Sequence, residues 1–397
     1  MNRKISCKGG RRAATLVLCA GLSFAALPAL ADDCEVKLGV VGPMTGGGAP
    51  WGLSEKAATE FEAAWTNAHG GLQVGDHKCK VSVVSVDTQS TVAGGAAASN
   101  TLASQNIFAI NGPIPSNEVA GFRPVAKRNK QVWFTPTFKV DAISPDFPNG
   151  FHKVQTPPVW GPLVVKAIKE RFDVKSAVVV GPNDEGGTDA GNALAKNYEA
   201  GGVTARTEWY QRGTTNFAPL ALRIAGMNVD AVEVGPMPPG EAGLLAKQLL
   251  EAGYPGAIGK LGAGAEPIIK DVGGIENLKK FYWFDHIPTQ DPGVVKLKAE
   301  YESLMKGPPP QLALWINDEM AAEQLLKAIS IAGTDQDGDK IAAALRSMTP
   351  ESRYLGKAPW RGKAQYGVNQ EFSFPVGLNT VTDGKLDPQV RIEIPTE

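Results

Sequence analysis

Residues 36–52, VKLGVVGPMTGGGAPWG, are the stretch from which the fold can be worked out. Val36, Leu38, Val40 and Val41 make a short apolar run that breaks at Gly42-Pro43, and Gly46-Gly47-Gly48 follow. An apolar run of that length, closed by turn residues, suits a strand buried on both faces of a parallel sheet. The glycines after it let a backbone or a ligand come close. Open α/β sheets take their ligands at the carboxyl ends of such strands. A helical pattern begins after Trp51, so the segment reads as a strand-to-helix loop carrying one large aromatic side chain. An ordinary mobile loop is the alternative reading.

Outward from there the pattern repeats. A helix over about 52–68, with Ala57, Phe61, Ala64 and Trp65 at helical spacing, stops at Gly70-Gly71. Strand 80–86 precedes helix 91–104. Strand 107–111 breaks at Gly112-Pro113-Ile114-Pro115-Ser116 before helix 117–129, and strand 131–135 breaks at Pro136-Thr137. Four strand–turn–helix units in succession predict a doubly wound parallel sheet. A second run follows, with helices 160–171, 189–200, 217–226 and 240–252 alternating with strands 176–181, 203–210, 230–235 and 257–262, and a further strand at 280–284. Residues 144–158, between the two runs, are Pro-containing and read as an extended crossing linker. Helices over 291–306, 315–332 and 337–347 have no sheet of their own and must pack on an existing one. Phe372, Phe374 and Val376, and later Val390-Arg391-Ile392, read as edge strands. The economical architecture is α/β with two lobes, residues 32–155 plus 287–366 and residues 156–286 plus 367–397. Several hinge segments join them around a cleft.

A chain of 397 residues exceeds one typical domain, and a formal charge of −1 argues against a nucleic-acid partner held on a basic surface. Near the N-terminus Arg3, Lys4, Lys8, Arg11 and Arg12 precede an apolar stretch that ends Ala29-Leu30-Ala31. That pattern predicts a secretory signal peptide over 1–31. A membrane anchor is the rival, although Gly21, Ser23 and Pro28 interrupt the run. Cleavage would leave Cys34, just before the first strand, and Cys79, at the opening of the next apolar run. If those strands are neighbours, the two thiols meet at their leading ends and can bridge in an oxidising compartment; two free thiols are the alternative.

Catalytic patterns are nearly absent. His69, His77, His152 and His286 are scattered, with no pair at metal spacing. Residues 181–188, GPNDEGGT, lack the lysine of a phosphate loop, and Gly262-x-Gly264 lacks the third glycine of a dinucleotide fingerprint. Ser303-x-x-Lys306 lies on an amphipathic helix without companion motifs and reads as a chance match. What recurs instead is a small, polar or proline-containing loop after each strand, suited to holding a carboxylate with backbone N–H groups and hydroxyls. Trp51 can cover an apolar group.

Taken in order, GVVGPMTGGGAPWG, INGPIPSNEV (110–119), WFTPTF (133–138) and QRGTTNFAPL (211–220) resemble the Leu/Ile/Val-binding type of periplasmic solute-binding protein, which feeds ABC importers. The resemblance implies two Rossmann-like lobes, a three-segment hinge, and closure on one small ligand in the periplasm. It also implies an inner-membrane permease as partner, a monomer, no cofactor and no enzymatic activity. It puts Ser116, preceded by Pro115, where a serine holds the ligand's α-carboxylate and α-ammonium. Thr137, with Phe138 and Lys139 beside it, falls among the assisting groups, and Trp51 is the aromatic cover. In the second lobe Gly186 and Pro236-Met237 stand where tyrosines are usual. Gly262 stands near the place of the acid that pairs with the ammonium, and Asp184, Glu185 or Asp285 are the substitutes at hand. A neutral pocket would leave a buried ammonium unpaired, which is costly. The function implied is capture of a small carboxylate-bearing solute, either a hydrophobic or branched-chain amino acid or an aromatic or other organic acid. The alternative is a ligand-sensing module of the same fold that reports to a regulator or sensor kinase.

Overall fold

The structure, a computed structural model, describes residues 34–395 except 140 and 263. The expected signal peptide lies outside the described residues. The first lobe opens with β1 (Glu35–Gly42), α1 (Ala49–Ala68), β2 (Leu72–Val74), β3 (His77–Asp87) and α2 (Val92–Ser104). It continues with β4 (Ala109–Asn111), α3 (Ser116–Arg128), β5 (Val132–Thr135) and β6 (Gly150–His152). The chain then crosses to the second lobe for α4 (Pro157–Phe172), β7 (Ser176–Pro182), α5 (Glu185–Ala200), β8 (Thr204–Tyr210) and α6 (Ala218–Ala225). There follow β9 (Ala231–Glu233), α7 (Pro239–Glu251), β10 (Ala257–Lys260), α8 (Glu266–Asp271) and β11 (Lys280–Asp285). It returns to the first lobe for α9 (Pro292–Met305), α10 (Trp315–Ala332), α11 (Gly338–Ser347), β12 (Glu351–Ser352) and β13 (Gly356–Lys357). After β14 (Trp360–Arg361), α12 (Lys363–Tyr366) and β15 (Glu371–Phe372) it crosses a third time, into β16 (Val376–Thr382), β17 (Lys385–Leu386) and β18 (Val390–Ile392).

The first sheet has the order β14-β15-β6-β5-β4-β1-β3-β2 and the second β17-β16-β11-β10-β9-β7-β8. The cores of both sheets are parallel, from β3 to β6 and from β8 to β11. Strand order reverses beside β1 in the first sheet and beside β7 in the second, and such switch points open crevices at the strands' carboxyl ends. The loops after β1, β4, β7 and β9 therefore face a common cleft. Both faces of each sheet are covered. In the first lobe α1, α9, α10 and α11 bury one face around Leu38, Phe134 and Trp315, and α2 and α3 bury the other around Val41, Ile110 and Trp133. The α2–α3 crossing is close because Gly121 has no side chain. A Cβ there would lie 1.9 Å from the Val92 carbonyl oxygen.

Two sequence expectations shift. Residues 144–158 are not wholly extended linker, because β6 joins the first sheet parallel to β5. The boundary expected at 367 moves to 373–375, since Glu371 of β15 pairs with His152 of β6 in the first sheet. The alternating stretch of Phe372, Phe374 and Val376 thus spans a crossing. Cys34 and Cys79 are joined in a disulfide with a Cα–Cα distance of 4.5 Å, as the parallel pairing of β1 with β3 allows.

The first crossing is anchored by charge. Lys153, fully buried, sits between Glu55 and Asp318, with Nζ 2.8 Å from Asp318 Oδ1 and 2.7 Å from Asn111 Oδ1. Burial pushes the Glu55 carboxyl up to about 8, against the pull of Lys153. One lysine between two buried carboxylates is balanced when one of them carries a proton.

Candidate ligand-binding site

A cavity with about 580 Å³ of empty space, its mouth included, lies between the lobes. The first lobe supplies Trp51 from the loop after β1, Ile114, Pro115 and Ser116 after β4, and Pro136, Thr137 and Phe138 after β5. The second supplies Gly186 and Ala190 from the start of α5, Arg212 after β8, Gly235 and Pro236 after β9, and Gly262 after β10. His286 and Leu314, from the second crossing and the approach to α10, close one end.

Ser116 begins α3, and its hydroxyl is 3.0 Å from that of Thr137. Thr137 is itself held in place, since its N–H donates to Thr135 Oγ1 at 3.1 Å. Gly186 belongs to the first turn of α5, and a Cβ there would lie 3.6 Å from the Ser116 nitrogen. The N-termini of α3 and α5 thus approach each other across the cleft, and helix N-termini favour negative charge.

Arg212 is the cation of the site. Its Nε and Nη2 form a fork on Asp184, with Nη2 2.9 Å from Oδ1. Its Nη1 is buried and without a partner. Burial works against the guanidinium's charge, but Asp184 more than offsets it and the pKa ends above its ordinary value. Asp184 is in turn the N-cap of α5, accepting from the Gly187 N–H at 2.9 Å. Among the described residues that line the cavity there is no Asp or Glu.

Beneath the second lobe's loops lies Lys260, fully buried, which donates to the carbonyls of Gly235 at 3.0 Å and Met237 at 2.8 Å. It also faces the Trp51 ring at 6.0 Å. Burial lowers its pKa to about 7, while Glu233 pulls the other way. Its evident task is to hold the loop after β9 against the cavity wall. His286 is 4 % exposed, and burial lowers its pKa to about 3, so the ring is neutral at working pH.

Of the residues singled out in the sequence, Trp51, Pro115, Ser116, Thr137, Phe138, Gly186 and Gly262 line the cavity. Two do not. Asp184 is turned to Arg212 and the α5 N-terminus, which consume its acceptors. Met237 is buried in the second lobe's core, and Pro236 and Gly235 line the cavity in its stead. Glu185 accepts instead from Lys139 Nζ at 2.9 Å, and Asp285 accepts through Oδ2 from Asn379 Nδ2 at 2.8 Å, Gln389 Nε2 at 3.2 Å and Thr289 Oγ1 at 3.3 Å in the hinge. Sequence reasoning missed Arg212 and His286. Both lie just past a strand's carboxyl end, and applying that rule to β8 and β11 would have included them.

The family model for periplasmic binding proteins matches residues 35–373. The chain belongs to the periplasmic binding protein family. As a member it is a solute-binding protein of two-lobed α/β fold and not an enzyme. It is 26% identical over 377 residues to the Leu/Ile/Val-binding protein BraC3 of Rhizobium johnstonii, covering 90% of this chain and 95% of that one. Among solved structures it is similar to the branched-chain amino acid binding protein LivJ of Streptococcus pneumoniae in complex with isoleucine, with a TM-score of 0.74 and 18% identity over 91% of this chain and all of that one. It is equally similar to a solute-binding protein of an ABC transporter from R. palustris in complex with benzoate, with a TM-score of 0.74 and 17% identity over 91% of this chain and 97% of that one. At those identities the two structures speak for the fold of this binding protein alone.

Proposed function

We propose that this protein is the monomeric periplasmic solute-binding component of an ABC importer, and that its solute is a small organic acid with an apolar body and no α-ammonium, such as an aromatic monocarboxylate. One observation carries the choice of ligand: the cavity offers the unpartnered Nη1 of Arg212 and no carboxylate. A ligand carboxylate between Arg212, the hydroxyls of Ser116 and Thr137 and the two helix N-termini is met by charge-assisted donors. The α-ammonium of an amino acid is one carbon from its carboxylate, so it would be held at that same electropositive end without an anion. Trp51, Phe138, Ile114 and Leu314 then cover the body of the ligand.

Binding couples to closure because the cation and the hydroxyls belong to different lobes. A ligand that touches both stabilises the shut form, and the population shifts toward it. A permease in the inner membrane is the partner that would receive the shut form.

A thermal-shift screen of residues 32–397 tests the ligand class. Benzoate and related acids at a hundred times their dissociation constant should stabilise the protein by about 2.7 kcal/mol, and isoleucine should leave it unmoved. Stabilisation by isoleucine without benzoate would overturn the reading.

A further inference from the structure

Behind His286 and Leu314, which line the main cavity, lies a second and much smaller recess, a chamber of about 10 Å³ with room for one water-sized group. Phe284 walls it, and Glu266 and Asp285 are its charged groups. Asp285 is committed to Asn379, Thr289 and Gln389. Glu266 is different: its Oε2 is buried and has no partner. The same is true of Nδ1 of His286, on a ring only 4 % exposed. Two unpartnered polar atoms at one small chamber are costly unless something fills it, because each has lost water without gaining a hydrogen bond. Burial raises the Glu266 carboxyl to about 7 and that of Asp285 to about 6, with Lys298 pulling weakly the other way at longer range.

The chamber lies far from Arg212. In the second sheet β8, which leads into Arg212, and β11, which leads into His286, are separated by β7, β9 and β10. Four strand spacings amount to about 19 Å between the two strand axes, and the side chains reach inward from both sides. The cavity therefore has a cationic end and, across its length, an end that accepts hydrogen bonds.

We infer that the chamber behind His286 and Leu314 is a subsite for a hydrogen-bond donor, a hydroxyl or an amine, carried by the ligand at the end remote from its carboxylate. Glu266 accepts that hydrogen bond and His286 Nδ1 makes the second contact. The inference rests on the reading of the main cavity as a carboxylate site. It adds that the preferred acids are para-substituted with a donor, and that Glu266 sets the preference. A site built to pair with such a group also disfavours the analogue that lacks it, whose binding leaves Glu266 unpaired.

The test is calorimetric titration of the full-length mature protein with benzoate, 4-methylbenzoate, 4-hydroxybenzoate and 4-aminobenzoate, in the native form and as Glu266→Gln, each form first shown to melt cooperatively. In the native protein the hydroxy or amino acid should bind at least about tenfold tighter than its methyl counterpart, the worth of one buried hydrogen bond. In Glu266→Gln that ratio should shrink to about threefold or less. Which of the two donors gains more identifies the group the chamber takes. Equal binding of the methyl and donor-bearing acids, or a ratio unchanged in Glu266→Gln, overturns the inference while leaving the carboxylate site standing. Binding of none of the four acids overturns the carboxylate site and this inference with it.

Discussion

Lys139, in the loop after β5 of the first lobe, places its Nζ 2.9 Å from Glu185 Oε1 at the start of α5 in the second. Asp189 of α5 is 3.5 Å from the same nitrogen, and Asp141 in Lys139's own lobe 3.3 Å. The pair thus joins the two lobes across the cleft.

Removing this bridge should weaken ligand binding without touching the cavity. Lys139→Ala or Glu185→Ala should raise Kd by about twofold to fivefold, in keeping with a partly exposed ion pair. Because the pair is open to solvent on one side, the difference from the native protein should narrow in high salt. Titrations at low and high salt check both statements. Unchanged Kd at low salt would remove Lys139 from closure.

Arg212→Ala should cost about 2–5 kcal/mol in affinity for any carboxylate ligand, since it deletes a cation that is only 18 % exposed. Arg212→Lys should recover only part, because an ammonium cannot fork on Asp184 and also face the cavity. The single alanine variant also orphans Asp184. The double variant Arg212→Ala with Asp184→Asn keeps an N-cap of equal quality, so it should melt above Arg212→Ala yet bind no better. Calorimetry paired with thermal melts separates the two effects.

Acid should weaken the fold through its buried histidines. His152 is fully buried, and burial lowers its pKa to about 3. In the unfolded chain it protonates near 6.5. Between those values the unfolded state holds a proton that the folded state lacks. The stability from keeping the ring neutral is therefore present above about 6.5 and lost as pH falls toward 3. Over that window the native protein should lose about 1.4 kcal/mol per pH unit relative to His152→Phe. Denaturant melts at pH 4, 5, 6 and 7 measure the slope, and parallel curves would mean that His152 is charged in the fold.

The disulfide closes a loop with a sequence separation of 45 residues. Its removal in Cys34→Ser with Cys79→Ser should cost about 2–4 kcal/mol, chiefly through the unfolded chain. The bridge sits at the leading ends of β1 and β3, opposite the cleft, so ligand affinity should be unchanged. A melt and a titration of the same variant read both quantities.

Much of this was legible before any coordinates, for identifiable reasons. Apolar runs such as 36–41 and 176–181, each bounded by turn residues, carry the strand signal of a parallel sheet in a few residues. The cavity residues Trp51 and Ser116 follow from the rule that such sheets bind at their strands' carboxyl ends, and Gly186 from the family resemblance. Strand β6 was hidden because Gly150–His152 is too short to show a period and sits among prolines. Arg212 was hidden because its meaning depends on Asp184, 28 residues away in sequence. Asp184 was misjudged for the same reason: a carboxylate in a cleft loop looks available until its arginine is located.

Asp184 and Arg212 sit in one lobe, so the guanidinium is held in place whether the cleft is open or shut. On the proposed reading the attraction for a ligand carboxylate thus precedes closure, while the Lys139–Glu185 bridge follows it. Capture consequently rests on Arg212, while retention is shared between Arg212 and the mouth. Substitutions at Arg212 should slow arrival and also shorten residence, whereas substitutions at the mouth should shorten the residence time while leaving arrival untouched. The dwell time of this binding protein can therefore be retuned by surface mutation without altering which solute it recognises.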